Sequence, residues 1–373
     1  MRVAIFNNYK IHLENRDDCI KNIISYPDNI GNIVFLEAIS RQTGAEPISI
    51  YDFVENTKYY EDRYDIVILS LANMLSPYFN MPSNILESLE KTNLKICIFS
   101  IGIQADNTSE LFNMSLSETA KRILKLSEKS ETIIGLRGET TKIYLDSIGV
   151  RNTQVIGCPS IFYKKVIPVK SNNIQKILVS GSFYGNWKEK IELLLKFGLN
   201  YNADYIIQSE SRILLDKYFN ENQIDFWNLE KERLEYLKSE DYDYKFYCHK
   251  DLTPVEIKKW LVNNSIFFNN FDEWKSSMNY DLSFGVRFHG SIMSTLNGVP
   301  TLILSGDARV DEFVKYHELP NIKLKLLEDN LKPEDIYDLI DYSEYSYKYE
   351  YLKNRYINFL KCNNLEFKDD KSR

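Results

Sequence analysis

The chain has 373 residues, a length that favours two domains of ordinary size. Hydrophobic residues make up 44% of it and charged residues 27%, proportions that exclude wholesale disorder. There are 46 basic and 53 acidic residues, so the net charge is −7, and no dense basic run occurs. We therefore expect no general binding to nucleic acid.

Neither a membrane span nor a secretion signal is expected. No apolar run reaches the length of a membrane-spanning helix, and residues 1–6 are too short for a signal-peptide core. The five cysteines are odd in number and never form a Cys-x-x-Cys pair, which is typical of reduced thiols in a cytoplasmic protein. The same spacing argues against a disulfide framework and a zinc knuckle.

Short apolar runs alternate with helical patterns through the first half of the chain. The predicted strands are 3–6, 65–70, 94–100 and 132–136, and the predicted helices are 32–41, 84–91, 117–127 and 139–147. The run Ile66-Val-Ile-Leu69 is apolar throughout, as in parallel strands that helices cover on both faces. This alternation predicts an open, doubly wound sheet.

The alternation breaks over residues 159–173, which we interpret as an interdomain linker, and then resumes. Predicted strands follow at 177–181, 203–208, 281–286 and 300–304, with predicted helices at 187–196, 253–263 and 290–296. Thr253 is the expected N-cap of its helix and Pro254 the first helical residue. The predicted organisation is an N-terminal α/β domain (1–165), a C-terminal α/β domain (174–325), and a helical segment with a tail (326–373).

Residues 332–360 are predicted to be helical and carry an aromatic stripe. The stripe comprises Tyr345, Tyr349, Leu352, Tyr356 and Phe359. A helix docked on a domain through this face is the favoured interpretation, and a surface that stacks on glycans is the alternative.

The expected fold is therefore α/β, with two doubly wound, Rossmann-like domains that face a cleft and a C-terminal helix. Ligands of such sheets bind beyond the carboxyl ends of the strands. Residues that directly follow strands are the candidates for function.

The strongest candidate segment is 281–304, where Arg287 and His289 follow a strand and Gly290 is expected to open a helix. A cation and an imidazole beside the free N–H groups of a helix start suit a phosphate or a carboxylate. The alternative is that Arg287 pairs with a nearby carboxylate and His289 fills a loop.

Two further arginines follow predicted strands. Arg137 precedes Gly138, which permits close backbone approach, and it is expected to face the cleft. A solvated arginine at a helix start is the alternative interpretation. Arg309 follows the strand that ends near residue 304, and Asp307 is expected to cap the next helix.

These segments together resemble the polysaccharide pyruvyl transferase family over about residues 28–320. The resemblance rests on Gly285-Val-Arg-Phe-His-Gly290 with Asn297-Gly-Val-Pro300, on Arg137-Gly-Glu139 with Leu145-Asp-Ser-Ile-Gly149, on Asp307-Ala-Arg309, on Asp28-Asn-Ile-Gly-Asn32, and on Ser100-Ile-Gly-Ile-Gln104. It implies a fold similar to the two-domain glycosyltransferase type B architecture. It also implies transfer of pyruvate from phosphoenolpyruvate to a sugar as a ketal, without a metal or another cofactor.

Residue roles follow from the resemblance by position. It implies that His289 and Arg287 are catalytic, that Arg137, Arg287, Arg309 and Gly290 bind the donor, and that Gly31, Asn32 and Gln104 lie on the acceptor side. The implied acceptor is a polymeric or lipid-linked saccharide of a bacterial-type surface glycan, such as capsule, exopolysaccharide or cell wall. The implied location is the cytoplasm, at the inner face of the membrane.

The chain also departs from the family pattern, mostly on the acceptor side. Cys158-Pro159 stands where many members have Asp-Pro, residues 71–74 replace a glycine-rich loop, and Asn32 replaces an acid. Two rival functions remain open. One is a glycosyltransferase of the same architecture that uses a nucleotide-sugar donor, and the other is a catalytically silent glycan-binding or scaffolding protein.

Overall fold

The computed structural model describes residues 1–7, 20, 29–104, 114–171, 173–182, 188–218 and 253–369. Asp28, Trp187, Cys19 and Cys248, which carry parts of the sequence interpretation, lie outside these ranges. No helix within the described ranges is long and apolar enough to cross a bilayer.

The first half of the chain forms a parallel sheet with helices packed on it. Its strands are β1 (Val3–Phe6), β2 (Glu46–Ile48), β3 (Ile66–Leu69), β4 (Lys95–Ile98), β5 (Ile134–Leu136) and β6 (Thr153–Val155). Its helices are α1 (Asn32–Thr43), α2 (Ile50–Glu55), α3 (Thr57–Arg63), α4 (Ser83–Lys91), α5 (Glu118–Lys129) and α6 (Glu139–Ser147).

Strands pair in the order β2-β1-β3-β4, and the β5–β6 pair joins beside β4 through a bridge between Ile101 and Leu136. All these pairings are parallel. The strand order reverses between β1 and β3, so the first sheet has a switch point at their carboxyl ends.

The second half forms a six-stranded sheet. Its strands are β7 (Ile177–Ser180), β8 (Asp204–Ile206), β9 (Ser265–Ile266), β10 (Leu282–Gly285), β11 (Thr301–Ser305) and β12 (Asn321–Lys323). Its helices are α7 (Lys188–Asn200), α8 (Ser211–Tyr218), α9 (Pro254–Asn264), α10 (Phe271–Ser277), α11 (Phe288–Leu296) and α12 (Ala308–His317). The strand order is β12-β11-β10-β7-β8-β9, parallel throughout, with a switch point between β7 and β10. The predicted fold class, two doubly wound α/β sheets, is confirmed.

Local sequence patterns account for many of these strands and helices. All four residues of β3 are fully buried or nearly so, as expected for a strand covered on both faces. Thr253 caps α9 as predicted, and its hydroxyl and Glu256 form a capping box.

The segment interpreted as a linker, 159–173, begins with a buried helix. Residues Pro159–Tyr163 form a buried 3₁₀ helix that packs on α1, and the predominantly exposed stretch begins at Lys164. The linker interpretation is therefore wrong for its first five residues, because Ile161 and Phe162 are core side chains.

The predicted C-terminal helix is two helices, α13 (Pro333–Asp338) and α14 (Ser343–Cys362). The break falls where the hydroxyl of Tyr342 accepts a hydrogen bond from the backbone N–H of Thr301 at 3.1 Å. The aromatic stripe of α14 is buried, which confirms the docked-helix interpretation. Part of its cover is the first sheet, since the rings of Phe359 and Phe99 meet edge to face at 5.0 Å.

Candidate active site

The carboxyl ends of both sheets border one cavity of about 430 Å³. From the first half, its wall includes Asn29, Asn32, Ala72, Asn73, Gln104 and Arg137, and from the second Ser182, Gln208, Arg287, His289, Asp307, Arg309 and Phe313. The cavity therefore brings together six of the eight predicted site residues: Asn32, Gln104, Arg137, Arg287, His289 and Arg309. Gly31 and Gly290 lie directly behind the wall.

Arg137 is held at the end of β5 by two hydrogen bonds. Its Nε donates to the carbonyl of Ser100 at 2.9 Å, and its Nη1 donates to Oδ1 of Asn73 at 2.8 Å. The guanidinium carbon lies 4.7 Å from the centre of the Phe313 ring. Only 4% of Arg137 is exposed, so the solvated-arginine interpretation is wrong. Burial lowers its pKa to about 10, which still leaves it a cation at neutral pH.

Arg287 is the N-cap residue of α11 and forms an ion pair with Glu210. Its Nη2 lies 2.6 Å from Oε1 of Glu210 and also donates to the hydroxyl of Ser209, while its Nε donates to the carbonyl of Gly181 at 3.0 Å. Arg287 therefore does pair with a nearby carboxylate, as the alternative interpretation expected, and it nevertheless lines the cavity. Its charge is largely balanced by Glu210.

His289 lies in the first turn of α11, which begins at Phe288 rather than at the expected Gly290. Its Nε2 is 3.8 Å from Sγ of Cys158, and its ring lies beside that of Phe35 at 5.1 Å. Burial, with a further contribution from Arg137, lowers the pKa of His289 to about 3. In this environment the imidazole is neutral at neutral pH.

Gln208 and Glu210 are site residues that the sequence interpretation missed. The carbonyl of Gln208 accepts a hydrogen bond from the backbone N–H of Ile30 at 2.9 Å, which joins the two halves of the chain. Oε2 of Glu210 accepts from the backbone N–H groups of Gln208 at 2.7 Å and Ser209 at 3.0 Å, and so shapes the loop after β8. The sequence signal that could have identified them is their position shortly after the strand β8.

Both glycines behind the wall make room for the Gln208 side chain. A Cβ on Gly290 would lie 2.6 Å from Nε2 of Gln208, and a Cβ on Gly31 would collide with Oε1. Nε2 is buried and makes no hydrogen bond to the part of the chain that the structure describes. The glycines therefore position Gln208.

Asp307 caps α12 as predicted. Its Oδ1 accepts from the backbone N–H groups of Arg309 at 2.9 Å and Val310 at 3.0 Å, and its Oδ2 pairs with Nη2 of Arg309 at 2.6 Å. Burial opposes ionisation, but the ion pair outweighs it and keeps the pKa of Asp307 below its usual value. Arg309 therefore lines the cavity with its charge balanced by Asp307.

The acceptor-side candidates border the cavity from the first half of the chain. Asn32 is the first residue of α1, and Gln104 follows the extended segment after β4. Two residues of the unusual 71–74 segment, Ala72 and Asn73, line the cavity, and Asn73 accepts a hydrogen bond from Arg137. The departure from the family pattern at 71–74 thus falls on a residue that positions a donor candidate.

Chemically, the cavity offers three guanidinium groups, the first turns of α11 and α12, and a neutral imidazole. Such a set suits a small ligand with two anionic groups. Within the described ranges, no group of three or more His, Cys, Asp or Glu side chains is arranged to hold a metal ion.

A family model described as polysaccharide pyruvyl transferase matches residues 14–307. The chain belongs to the polysaccharide pyruvyl transferase family. The motifs that carry the family resemblance converge on the cavity, since Arg137, Arg287, His289 and Arg309 all line it. A comparison with curated protein sequences gives no significant match.

Solved structures resemble the chain only in outline. They include the MnaA–UDP complex of S. aureus (12% identity, TM-score 0.40, 95% of this chain and 90% of that one) and a putative UDP-N-acetylglucosamine 2-epimerase from Listeria monocytogenes (11%, 0.40, 97% and 90%). A glycosyltransferase of kitacinnamycin is similar at 9% identity, with a TM-score of 0.36 and 97% of each chain covered.

Proposed function

We propose that this family member transfers pyruvate from phosphoenolpyruvate to two hydroxyls of a sugar, forming a cyclic ketal. The observation that carries the proposal is Arg137. Among the residues that the structure describes, no carboxylate lies within ion-pair distance of this buried cation, whereas Arg287 and Arg309 each have one. A buried charge of this kind is stabilised by an anionic ligand.

The donor carries a carboxylate and a phosphate, and both suit the guanidinium groups of this wall. Arg137 binds one anion and Arg309 supports the other, because planar guanidinium groups can donate two parallel hydrogen bonds to an oxyanion. Arg287, held by Glu210, borders the same space at the start of α11, whose free N–H groups favour negative charge.

His289 supplies the proton that starts the reaction. Once the donor's negative charge lies beside it, the imidazolium form is favoured, and it protonates the methylene carbon of phosphoenolpyruvate. A sugar hydroxyl adds to the resulting cationic carbon and returns a proton to His289. Phosphate then leaves, the second hydroxyl closes the ketal, and its proton departs with the phosphate.

The acceptor approaches from the first sheet, where Asn32 and Gln104 offer neutral hydrogen-bonding groups. We assign it to a surface glycan, either polymeric or lipid-linked. Such an acceptor would bring the protein from the cytoplasm to the inner face of the membrane.

The test measures donor binding first and product second. Thermal unfolding is followed with phosphoenolpyruvate and with a panel of nucleotide sugars, for the wild type and for His289→Asn and Arg309→Gln. A ligand present at 100 times its Kd stabilises the folded state by about 2.7 kcal/mol. Hexosides with free 4- and 6-hydroxyls are then tested for phosphate release and for a mass gain of one pyruvate less one water.

We expect phosphoenolpyruvate to stabilise the wild type, Arg309→Gln to bind it more weakly, and His289→Asn to bind it but form no ketal. Stabilisation by a nucleotide sugar alone would assign glycosyl transfer instead. Binding of saccharides without any donor would assign the glycan-binding alternative.

A further inference from the structure

Cys158 lies between two histidines of the second half, the half-buried His289 and the fully buried His317. Its backbone N–H donates to Nε2 of His317 at 2.9 Å, and its Sγ is 3.8 Å from Nε2 of His289 and 2.9 Å from the hydroxyl of Ser160. The residue is 1% exposed. Backbone and side chain are therefore both fixed, and the thiol points at the edge of the candidate catalytic imidazole.

The surroundings of His289 are apolar, neutral or cationic. Phe35 of α1 and Phe288 of α11 flank the ring at 5.1 and 5.4 Å, and Arg137 acts on it from the end of β5. The other charged groups of the wall are internally paired, Arg287 with Glu210 and Arg309 with Asp307. No carboxylate in the described ranges lies within ion-pair distance of the imidazole, so its partner is an uncharged thiol.

The thiol is uncharged in this place and can donate to the imidazole. Burial raises the pKa of Cys158, although Ser160 and Arg137 oppose that effect. When the Ser160 hydroxyl donates to Sγ, the S–H proton is left to donate to Nε2 of His289. The imidazole hydrogen is then on Nδ1, for which the described residues provide no hydrogen-bond partner.

We propose that Cys158 is the positioning residue of His289: its neutral thiol holds the Nε2 edge, leaves Nδ1–H to donate to the bound ligand, and supplies no counter-charge. The proton that makes the ring a cation comes from solvent and enters at Nε2, where the thiol turns from hydrogen-bond donor to acceptor. The imidazole then becomes a cation only together with a bound anion. This inference rests on the proposed function for the identity of that anion, phosphoenolpyruvate. It goes further in making donor binding and proton uptake a single event.

A coupling of this kind prevents His289 from acting as an acid when no donor is bound. Without a negatively charged ligand the imidazole holds no acidic proton, so water or a lone sugar meets a neutral ring. With a donor in place, the donor supplies the charge that a carboxylate partner would otherwise supply permanently.

The test is a titration of the histidine ring nitrogens by ¹⁵N NMR on the full chain. The signals of His289 are assigned by comparison with His289→Gln. The variants are Cys158→Asp, which places a carboxylate at Nε2, Cys158→Ser, which keeps a neutral hydroxyl donor, and Cys158→Ala, which removes the donor.

In the wild type we expect His289 to stay neutral from pH 8 to pH 5, with its hydrogen on Nδ1. Cys158→Asp raises the His289 pKa by about two units or more, since an opposite charge in contact shifts a pKa by about 1–3 units. Cys158→Ser keeps both the pKa and the tautomer, whereas Cys158→Ala keeps the pKa and mixes the tautomers. An unchanged His289 titration in Cys158→Asp, or an Nε2-protonated ring in the wild type, would overturn the proposal.

A second arm repeats the wild-type titration with phosphoenolpyruvate and with inorganic phosphate. A rise of the His289 pKa with phosphoenolpyruvate supports the coupling, and a saturated complex with no rise overturns it. The two parts of the test distinguish a failure of this inference from a failure of the proposed function. If phosphoenolpyruvate does not bind at all, the ligand assignment fails while the ligand-free titrations still decide the role of Cys158. If Cys158→Asp does not fold, the tautomers of Cys158→Ser and Cys158→Ala decide it.

Discussion

One oxygen of the Glu210 carboxylate pairs with Nη2 of Arg287 at 2.6 Å, and the other accepts from the N–H groups of Gln208 and Ser209. A single buried side chain thereby fixes both a cavity cation and the backbone of its own loop after β8. We predict that Glu210→Gln lowers the free energy of unfolding by about 3 kcal/mol, because breaking a buried ion pair leaves an uncompensated charge. Donor affinity should fall with it, as Arg287 and Gln208 lose their fixed positions. Chemical denaturation and donor titration measure the two effects.

An exposed ion pair of the same chemistry provides the control for this variant. Lys58 and Asp62 pair on the surface of α3 at 3.1 Å, with both side chains mostly exposed. Asp62→Asn should change stability by less than about 0.5 kcal/mol. Equal losses in the two variants would show that Glu210 has no special structural role.

Arg137→Lys should reduce kcat/KM for the donor about 100-fold or more. A lysine has no planar fork, so it cannot keep the bonds to Ser100 and Asn73 and still bind an oxyanion. Steady-state kinetics with varied donor measure the loss. Arg309→Lys is the matched variant and should lose much less, because a lysine at 309 can still pair with Asp307. A larger loss at 309 than at 137 would reverse the assignment of the main donor contact.

Gly290→Ala should disable the site through Gln208. The added Cβ would lie 2.6 Å from Nε2 of Gln208 and push the amide out of place. Combining Gly290→Ala with Gln208→Ala removes the clash, so the double variant should recover stability relative to Gly290→Ala alone. A double-mutant cycle of unfolding free energies measures this coupling. Strict additivity would mean that the alanine acts on something other than Gln208.

Acid should destabilise the protein through the buried His317. His317 is fully buried, and burial lowers its pKa to about 3, below the usual value near 6.5. The unfolded chain then binds more protons between pH 6.5 and pH 3, so stability is complete above pH 6.5 and is lost as the pH falls. The expected slope is about 1.4 kcal/mol per pH unit for each such group.

Urea unfolding from pH 7 to pH 4.5 tests this slope in the wild type and in His317→Gln. The variant should be less stable at pH 7, where the backbone N–H of Cys158 loses its bond to the imidazole Nε2, but its stability should fall less steeply with acid. Parallel curves for the two proteins would exclude His317 as a source of the acid sensitivity.

The framework of the fold follows from local patterns in the sequence. Apolar runs such as Ile66–Leu69 identify strands because burial on both faces requires them. The topology rule for parallel sheets then places Arg137, Arg287 and His289 at strand ends, next to a cleft. These predictions depend only on near neighbours along the chain.

Features that depend on distant neighbours were missed. Nothing local marks Glu210 as the partner of Arg287, because 77 residues separate them. Cys158 was visible only as a departure from a family pattern, and its contact with His289 appears once the two sheets are brought together. The break before α14 likewise depends on Tyr342 reaching Thr301, which no helical propensity could indicate.

The helix α14 and the residue that follows it bind back to the first half of the chain. Asn363 exchanges hydrogen bonds with the backbone of Ile133, the carbonyl of Arg355 accepts from Gln154, and Tyr356 donates to Gln42. The first sheet is thus completed by residues that are synthesised long after its own strands. A nascent chain that has made β6 still lacks the cover that Phe359 gives to Phe99, so the N-terminal half finishes folding only once α14 has been made.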